Sequence, residues 1–276
     1  MKLRTTLALV AAAIPLAAAQ AQTLKIGLSA EPTSADPHYH KMTQNDAFSA
    51  HVYSSLVGRS ADMKLVPALA TSWKNLDDLT WEFKLRDDVK FSNGKPFTSE
   101  DVLFTICRTL NNETNVSQSY MDTTKLITDV QTPDAHTVII KTATPNPMLP
   151  LEIASVYVVS KHVGEKSKTE DYNAGRAVVG TGPYKFVSYT PGDRTVFERN
   201  PSYYGPKPVW DKVTYRFINN GAARTAALLA GDVDVIDKVA VTDVEKLRKN
   251  PAVSVYTYPG LRVLLLQPSF RAGSNE

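Results

Sequence analysis

The side chains best suited to ligation, nucleophilic attack or proton transfer are sparsely placed in this sequence. The histidines are His38, His40, His51, His136 and His162. His38 and His40 stand two apart in SADPHYH, which puts both rings on one side only if the chain is extended there. A metal site asks for three or four ligands with outer hydrogen bonds behind them. Two loop histidines therefore read as ordinary hydrogen-bonding residues. Cys107 is the only cysteine, so no internal disulfide can form. Its helical neighbours Leu103, Ile106 and Leu110 predict a small buried hydrophobe rather than a reactive thiol. The carboxylate pairs Asp77-Asp78 and Asp87-Asp88 sit in turns flanking strands, with no spacing that marks an acid and a base. There is no Gly-x-Ser-x-Gly elbow, phosphate-binding glycine loop or His-Glu-x-x-His helix. These side chains read as a non-catalytic-looking protein, with no catalytic residue, metal or cofactor expected; an exported hydrolase is kept as the alternative.

The elements that would position a binding surface follow from periodicity and punctuation. Leu24 to Ser29 reads as a strand, and EPTSADPHYH after it as a proline-punctuated loop. Ala47, Phe48, His51, Val52, Ser55 and Leu56 recur at helical spacing and predict a helix from Asn45 to Val57, ending near Gly58. Trp81, Phe83 and Leu85 alternate with Thr80, Glu82, Lys84 and Arg86 in a half-buried strand. Asn93-Gly94 is a turn. Thr98 is placed as the N-cap of the next helix, with Asp101 reaching back and Phe97 and Val102 as a hydrophobic staple. That helix carries Val102, Leu103, Ile106 and Leu110 on one face. Further strands are read at Val138 to Lys141, Val156 to Ser160, Tyr184 to Tyr189, Thr195 to Arg199, Val213 to Ile218 and Val233 to Ile236. Helices are read at Ala222 to Ala230, closed by Gly231, and at Thr242 to Lys249. Strands and helices mix without strict alternation, which predicts an α/β protein with a mixed sheet.

The chain of 276 residues is 43% hydrophobic, enough to bury a sizeable core. Met1 to Arg4 is short and basic, Leu7 to Ala19 is apolar, and Ala19-Gln20-Ala21 fits a signal-peptide cleavage site. Export as a soluble protein starting near Gln22 is expected. Loss of Lys2 and Arg4 lowers the formal charge from +3 to +1, which gives no nucleic-acid footprint. Asn112-Glu113-Thr114 and Asn115-Val116-Ser117 match the glycosylation pattern and at most mark a surface loop.

Three stretches resemble the extracellular solute-binding proteins of family 5, the peptide- and nickel-binding class of ABC-transporter receptors. They are Leu65 to Thr105, beginning LVPALATSW; Val178 to Ile218, beginning VVGTGPYKF; and SADPHYH, Ser34 to His40. A weaker match is ALLAGDVDVI, Ala227 to Ile236. The resemblance implies the first lobe of a two-lobed clamp of the periplasmic binding protein kind (type II, cluster C). It divides the chain into a signal peptide at 1–21, a first part of the lobe at 22–57, an inserted subdomain at 58–177, and a second part at 178–260. Residues 261–276, with the apolar run Val263 to Leu266, then look like the start of a hinge crossing, and the second lobe is expected to be missing. It further implies Glu31, Pro32, Thr33, His40 and Asn45 as ligand-facing residues, and GTGPY, Gly180 to Tyr184, as scaffold. The implied partners are a peptide or other small solute and an ABC permease in the inner membrane, met by a periplasmic monomer. Nickel, haem and sugars are other ligands known in so broad a family.

Overall fold

The computed structural model describes residues 22–110 and 118–257. Two units are distinguished, Met1–Asp237 and Lys238–Glu276. The segment read as a signal peptide, the two glycosylation patterns and the run Val263 to Leu266 lie outside the described residues.

In the first unit a five-stranded mixed sheet forms from both ends of the sequence. In spatial order its strands are β11 (Val235–Ile236), β1 (Thr23–Leu28), β10 (Lys212–Phe217), β9 (Arg194–Arg199) and β8 (Tyr184–Thr190). β1 runs parallel to both β10 and β11, while β10, β9 and β8 pair antiparallel. Helix α1 (Thr43–Val52) lays Phe48 on this sheet, where its ring meets Phe186 and Phe197 at centroid distances of 6.0 and 5.4 Å.

The stretch between α1 and β8 builds its own antiparallel sheet, in the order β4 (Ala70–Asp77), β5 (Thr80–Leu85), β7 (Thr137–Thr142) and β6 (Ile127–Asp134). Trp81, Phe83 and Leu85 are buried as their alternation requires, against Val138 and Ile140 of β7 and the helix α2 (Ser99–Leu110). A short pair, β2 (Val57–Arg59) and β3 (Leu65–Pro67), precedes this sheet. Small helices α3 (Gln118–Thr124), α4 (Leu149–Ile153), α5 (Lys161–Gly164) and α6 (Thr169–Asn173) follow the chain back toward β8. Helix α7 (Gly221–Leu229) starts where the Asn220 side chain accepts from the Ala223 N–H. It stops at Gly231, whose φ of +77° favours glycine. The second unit contains α8 (Val241–Arg248). Among the described residues no helix is long and apolar enough to cross a membrane.

Four expectations are corrected. α1 ends at Val52, because Tyr53 turns extended, Val57 pairs with Pro67 and Ser55 bridges Tyr157. Ser55 and Leu56 thus leave the helix their spacing suggested: tertiary pairing overrides a local pattern. Val156 to Ser160 forms only that bridge, not a strand, although it is buried and its backbone bonds Ser54 and the Thr105 hydroxyl. Cys107 is exposed, because the face that α2 buries is Val102, Thr105, Ile106 and Thr109, with Arg108. Leu110 is exposed for the same reason. At the start of α2, the Thr98 hydroxyl donates to the Asp101 carboxylate, which also accepts the Thr98 N–H at 2.9 Å. The reciprocal half of the expected box is replaced by a backbone bond, Asp101 N–H to Thr98 C=O.

Candidate functional site

β1 lies between two parallel neighbours, so its carboxyl end opens where chains in such sheets leave a crevice. The exit is tied down at once. Ser29 donates its N–H and its hydroxyl to the two oxygens of Asp237, at 2.7 and 2.8 Å. The loop 31–40 then carries most of the residues singled out by the resemblance.

Glu31 is held by the β8–β9 hairpin: its carboxylate accepts from the Tyr189 hydroxyl at 3.0 Å and the Gly192 N–H at 2.9 Å. Burial, together with this carboxylate, pushes the Tyr189 phenol up to about 12. Pro32 is buried beside it and Thr33 is exposed. Thr33, His40 and Asn45 form one hydrogen-bonded group. The Thr33 N–H donates to Asn45 Oδ1, Asn45 Nδ2 donates to the Thr33 hydroxyl, and that hydroxyl lies 3.0 Å from His40 Nδ1. Asn45 is almost wholly buried in the first turn of α1, so the helix start sets the position of the exposed Thr33 and His40. His40 Nε2 has no hydrogen bond to a described residue. The structure therefore brings Thr33, His40 and Asn45 together, while Glu31 secures the far side of the loop.

The middle of the loop, SADPH, is locked from inside. The Ser34 hydroxyl and the Ala35 N–H both donate to Asn173 Oδ1 at the end of α6. Asp36 accepts from Arg108 Nη2 at 2.5 Å and from the Thr169 hydroxyl at 2.8 Å. Arg108 Nη1 lies 2.6 Å from His38 Nδ1, and His38 Nε2 lies 2.8 Å from the Tyr157 carbonyl. A guanidinium only donates and a carbonyl only accepts, so Nδ1 is the acceptor and Nε2 carries the proton. Burial, then the adjacent guanidinium, push His38 down to about 4, which keeps the ring neutral. Burial alone would raise the Asp36 carboxyl; Arg108 outweighs it and holds the group below the usual carboxylate range. His38 is thus structural and His40 outward-facing, and the two rings do not share one site. Reading the sequence alone missed Asp36, Arg108 and Asn173. The available signal was a lone arginine on the inward side of an amphipathic helix, which demands a buried acceptor.

GTGPY closes the base. Gly182 donates its N–H to the Val52 carbonyl at 2.8 Å, and Asn200 donates to the Gly182 carbonyl at 2.8 Å. A Cβ on Gly182 would come within 2.6 Å of the Val52 carbonyl carbon, so only glycine lets this turn seat on the end of α1.

Two hollows adjoin these residues. One, of about 200 Å³, lies under the loop and is mainly apolar, reaching Phe48 and Phe186. The other, of about 580 Å³, is polar and is lined in part by Lys41, Asp46, Arg59 and Tyr157. Burial lowers Lys41 and raises the Asp46 carboxyl, so these two of its charges are partly stripped of water. Among the described residues no group of three metal-ligating side chains is present. The arrangement offers a rigid wall with a few outward polar groups, suited to holding a solute.

Comparison with known proteins gives this geometry a context. The model of the bacterial extracellular solute-binding proteins, family 5 Middle, matches residues 64–274. The probable D,D-dipeptide-binding periplasmic protein DdpA of Escherichia coli is 30% identical over 95% of this chain and 52% of its own length. The crystal structure of NikZ from Campylobacter jejuni in complex with Ni(L-His) superposes with a TM-score of 0.76 at 27% identity, over 83% of this chain and 45% of that one. The periplasmic binding protein DppA from Helicobacter pylori, in complex with peptide STSA, gives 0.75 at 26% identity, over 83% of this chain and 49% of that one. The chain spans about half the length of the curated relatives it matches. Its fold is the α/β fold with a mixed sheet shared by these binding proteins.

Proposed function

The chain belongs to the bacterial extracellular solute-binding proteins of family 5, and from that premise we propose that it forms one wall of a periplasmic receptor. The receptor captures peptide-like solutes and hands them to an ABC permease. The observation that carries this reading is the loop at the carboxyl end of β1. It is locked from within by Asp36, His38 and Arg108, yet it presents Thr33 and His40 outward. A recognition surface held in its binding shape loses little entropy on binding, which is how rigid receptors gain affinity. Glu31 and Pro32 shape the loop, Asn45 orients it, and Thr33 and His40 touch the solute. The polar hollow with Lys41, Asp46 and Arg59 adds partly desolvated charges of both signs, which suits a ligand that itself carries both. Peptides fit that description, as do the small peptides and metal chelates named with the relatives. On the same reading the leader 1–21 is removed on export and the protein acts as a monomer. The partition into 22–57, 58–177 and 178–260 follows the family pattern.

The test is retention without turnover. Equilibrium dialysis against a mixture of di- to pentapeptides should leave an excess of intact peptides on the protein side, identified by mass spectrometry. Cleaved products accumulating with time would favour the exported hydrolase instead.

A further inference from the structure

The polar hollow beside α1 contains a carboxylate that the scaffold does not use. Asp46 stands in the first turn of α1, where the helix start has no side-chain cap bond. Its backbone is engaged, the N–H donating to the Met42 carbonyl and the C=O accepting from the Tyr157 hydroxyl. Its carboxylate bonds no described residue. An acid in a first helical turn suits the helix dipole while it stays in water. Asp46 is instead half-buried in the wall of the hollow, where burial pushes its carboxyl up. A partly buried charge with no partner is costly.

Two cations share the hollow, and neither closes on Asp46. Lys41 is held by hydroxyls, donating to Ser155 at 2.9 Å and to Thr123 at 3.5 Å. Arg59 donates to the Leu151 carbonyl at 3.1 Å through Nη2, and its other N–H groups bond no described residue. Both cations pull the Asp46 carboxyl down against burial, and Asp46 in turn draws Lys41 up, so the three groups face a common space. Among the described residues no ion pair joins them. Glu152 also acts on Lys41, but its carboxylate accepts from the Asn146 amide at 2.8 Å. The wall between the charges is made of small residues, Ala50, Gly58, Ala68 and Ala154, which leave the space open. Its volume of about 580 Å³ falls within the roughly 300–1,000 Å³ of small-molecule sites. Lys41 and Arg59 are exposed and Asp46 is half-buried, so a solute entering the hollow reaches all three.

We propose that Asp46 determines what this hollow admits: it accepts the free ammonium of the solute, while Lys41 and Arg59 hold a carboxylate of the same molecule. The inference rests on the receptor reading and names the chemistry that reading requires at its polar hollow. An ammonium offers three donors to a carboxylate, and a guanidinium offers a planar fork to another. A solute with its amine capped would leave Asp46 without a counter-charge, and one with its acid capped would leave the two cations so. The hollow therefore takes small solutes with both charged ends unblocked and rejects those with either end capped.

Glycylglycine, N-acetylglycylglycine and glycylglycinamide test this on the full chain by ligand-observed NMR titration, in wild type, Asp46→Asn and Arg59→Gln. Glycylglycine should bind wild type saturably in the millimolar range, about tenfold more tightly than either capped probe, as the loss of one charge-assisted bond implies. In Asp46→Asn its advantage over the N-acetyl probe should vanish, and in Arg59→Gln its advantage over the amide should shrink, with the amide spectrum of each variant confirming the native fold. If no probe saturates, or if the N-acetyl probe binds wild type as well as glycylglycine does, the proposal falls. It falls equally if Asp46→Asn keeps the preference for the free amine. Peptides retained by dialysis without that preference would overturn the role of Asp46 alone. Glycylglycine bound through Asp46, with no longer peptide retained by dialysis, would overturn the receptor reading and leave the site standing.

Discussion

The Arg108 guanidinium meets the Asp36 carboxylate at 2.5 Å with both side chains almost wholly buried. The pair joins α2 to the loop after β1, and His38 and Thr169 complete it. Two charges buried together give little net stability, but either one left alone is expensive. Arg108→Met should therefore destabilise the protein by roughly 3–5 kcal/mol, read as a shift of the urea midpoint. Asp36→Leu combined with Arg108→Met should cost much less than the two single changes added together. Additive losses would mean that the pair is not coupled.

The neutral state of His38 makes stability depend on pH. Its folded pKa, about 4, lies below the ordinary 6.5, so between these values the unfolded chain binds more protons than the folded one. The contribution is complete above pH 6.5 and is lost as pH falls toward 4. The difference amounts to roughly 3 kcal/mol. Denaturation at pH 7.5 and 4.5 should show a loss of that order in wild type and a clearly smaller one in His38→Gln. An equal loss in both would assign the acid sensitivity to other groups.

Glycine substitutions separate close approach from backbone strain. Gly182→Ala must push Cβ into the Val52 backbone and should cost well over 2 kcal/mol. Gly192→Ala meets nothing within 4 Å and pays only for its φ of +71°, about 1 kcal/mol. Similar midpoints for the two variants would contradict the packing of GTGPY on α1.

At the start of α2, Asp101 bonds the Thr98 N–H and, with its other oxygen, the Lys161 N–H that opens α5. Asp101→Ala removes both and should cost about 2 kcal/mol. Thr98→Ala removes only a hydroxyl that donates to Asp101, and should cost less than about 1 kcal/mol. The reverse order would restore Thr98 as the principal cap.

How far these features were legible differs from element to element. β5 announced itself, because Trp81, Phe83 and Leu85 are buried in strict alternation. β4 and β6 did not, since most of their residues are exposed on both faces and neither alternates cleanly. α1 was read too long because the apolar spacing continues through Leu56, while the backbone there pairs with β3. Of the loop, the outward residues were found through the resemblance, but the bonds that hold them were not. Arg108 lies 72 residues from Asp36 along the chain, and no local pattern connects residues so far apart. The Glu31 contacts are likewise long-range, since they depend on the hairpin at Tyr189 and Gly192.

The central claim is that the loop after β1 is the solute-facing wall. Amide chemical-shift mapping of the labelled chain, titrated with di- to pentapeptides at millimolar concentration, tests it most directly. The account predicts progressive, saturable shifts at Thr33, Ser34, His40 and Asn45, with Thr181, Gly182 and Tyr184 unmoved. Shifts confined to other surfaces, or none at all from a chain that the same spectrum shows to be folded, would contradict it.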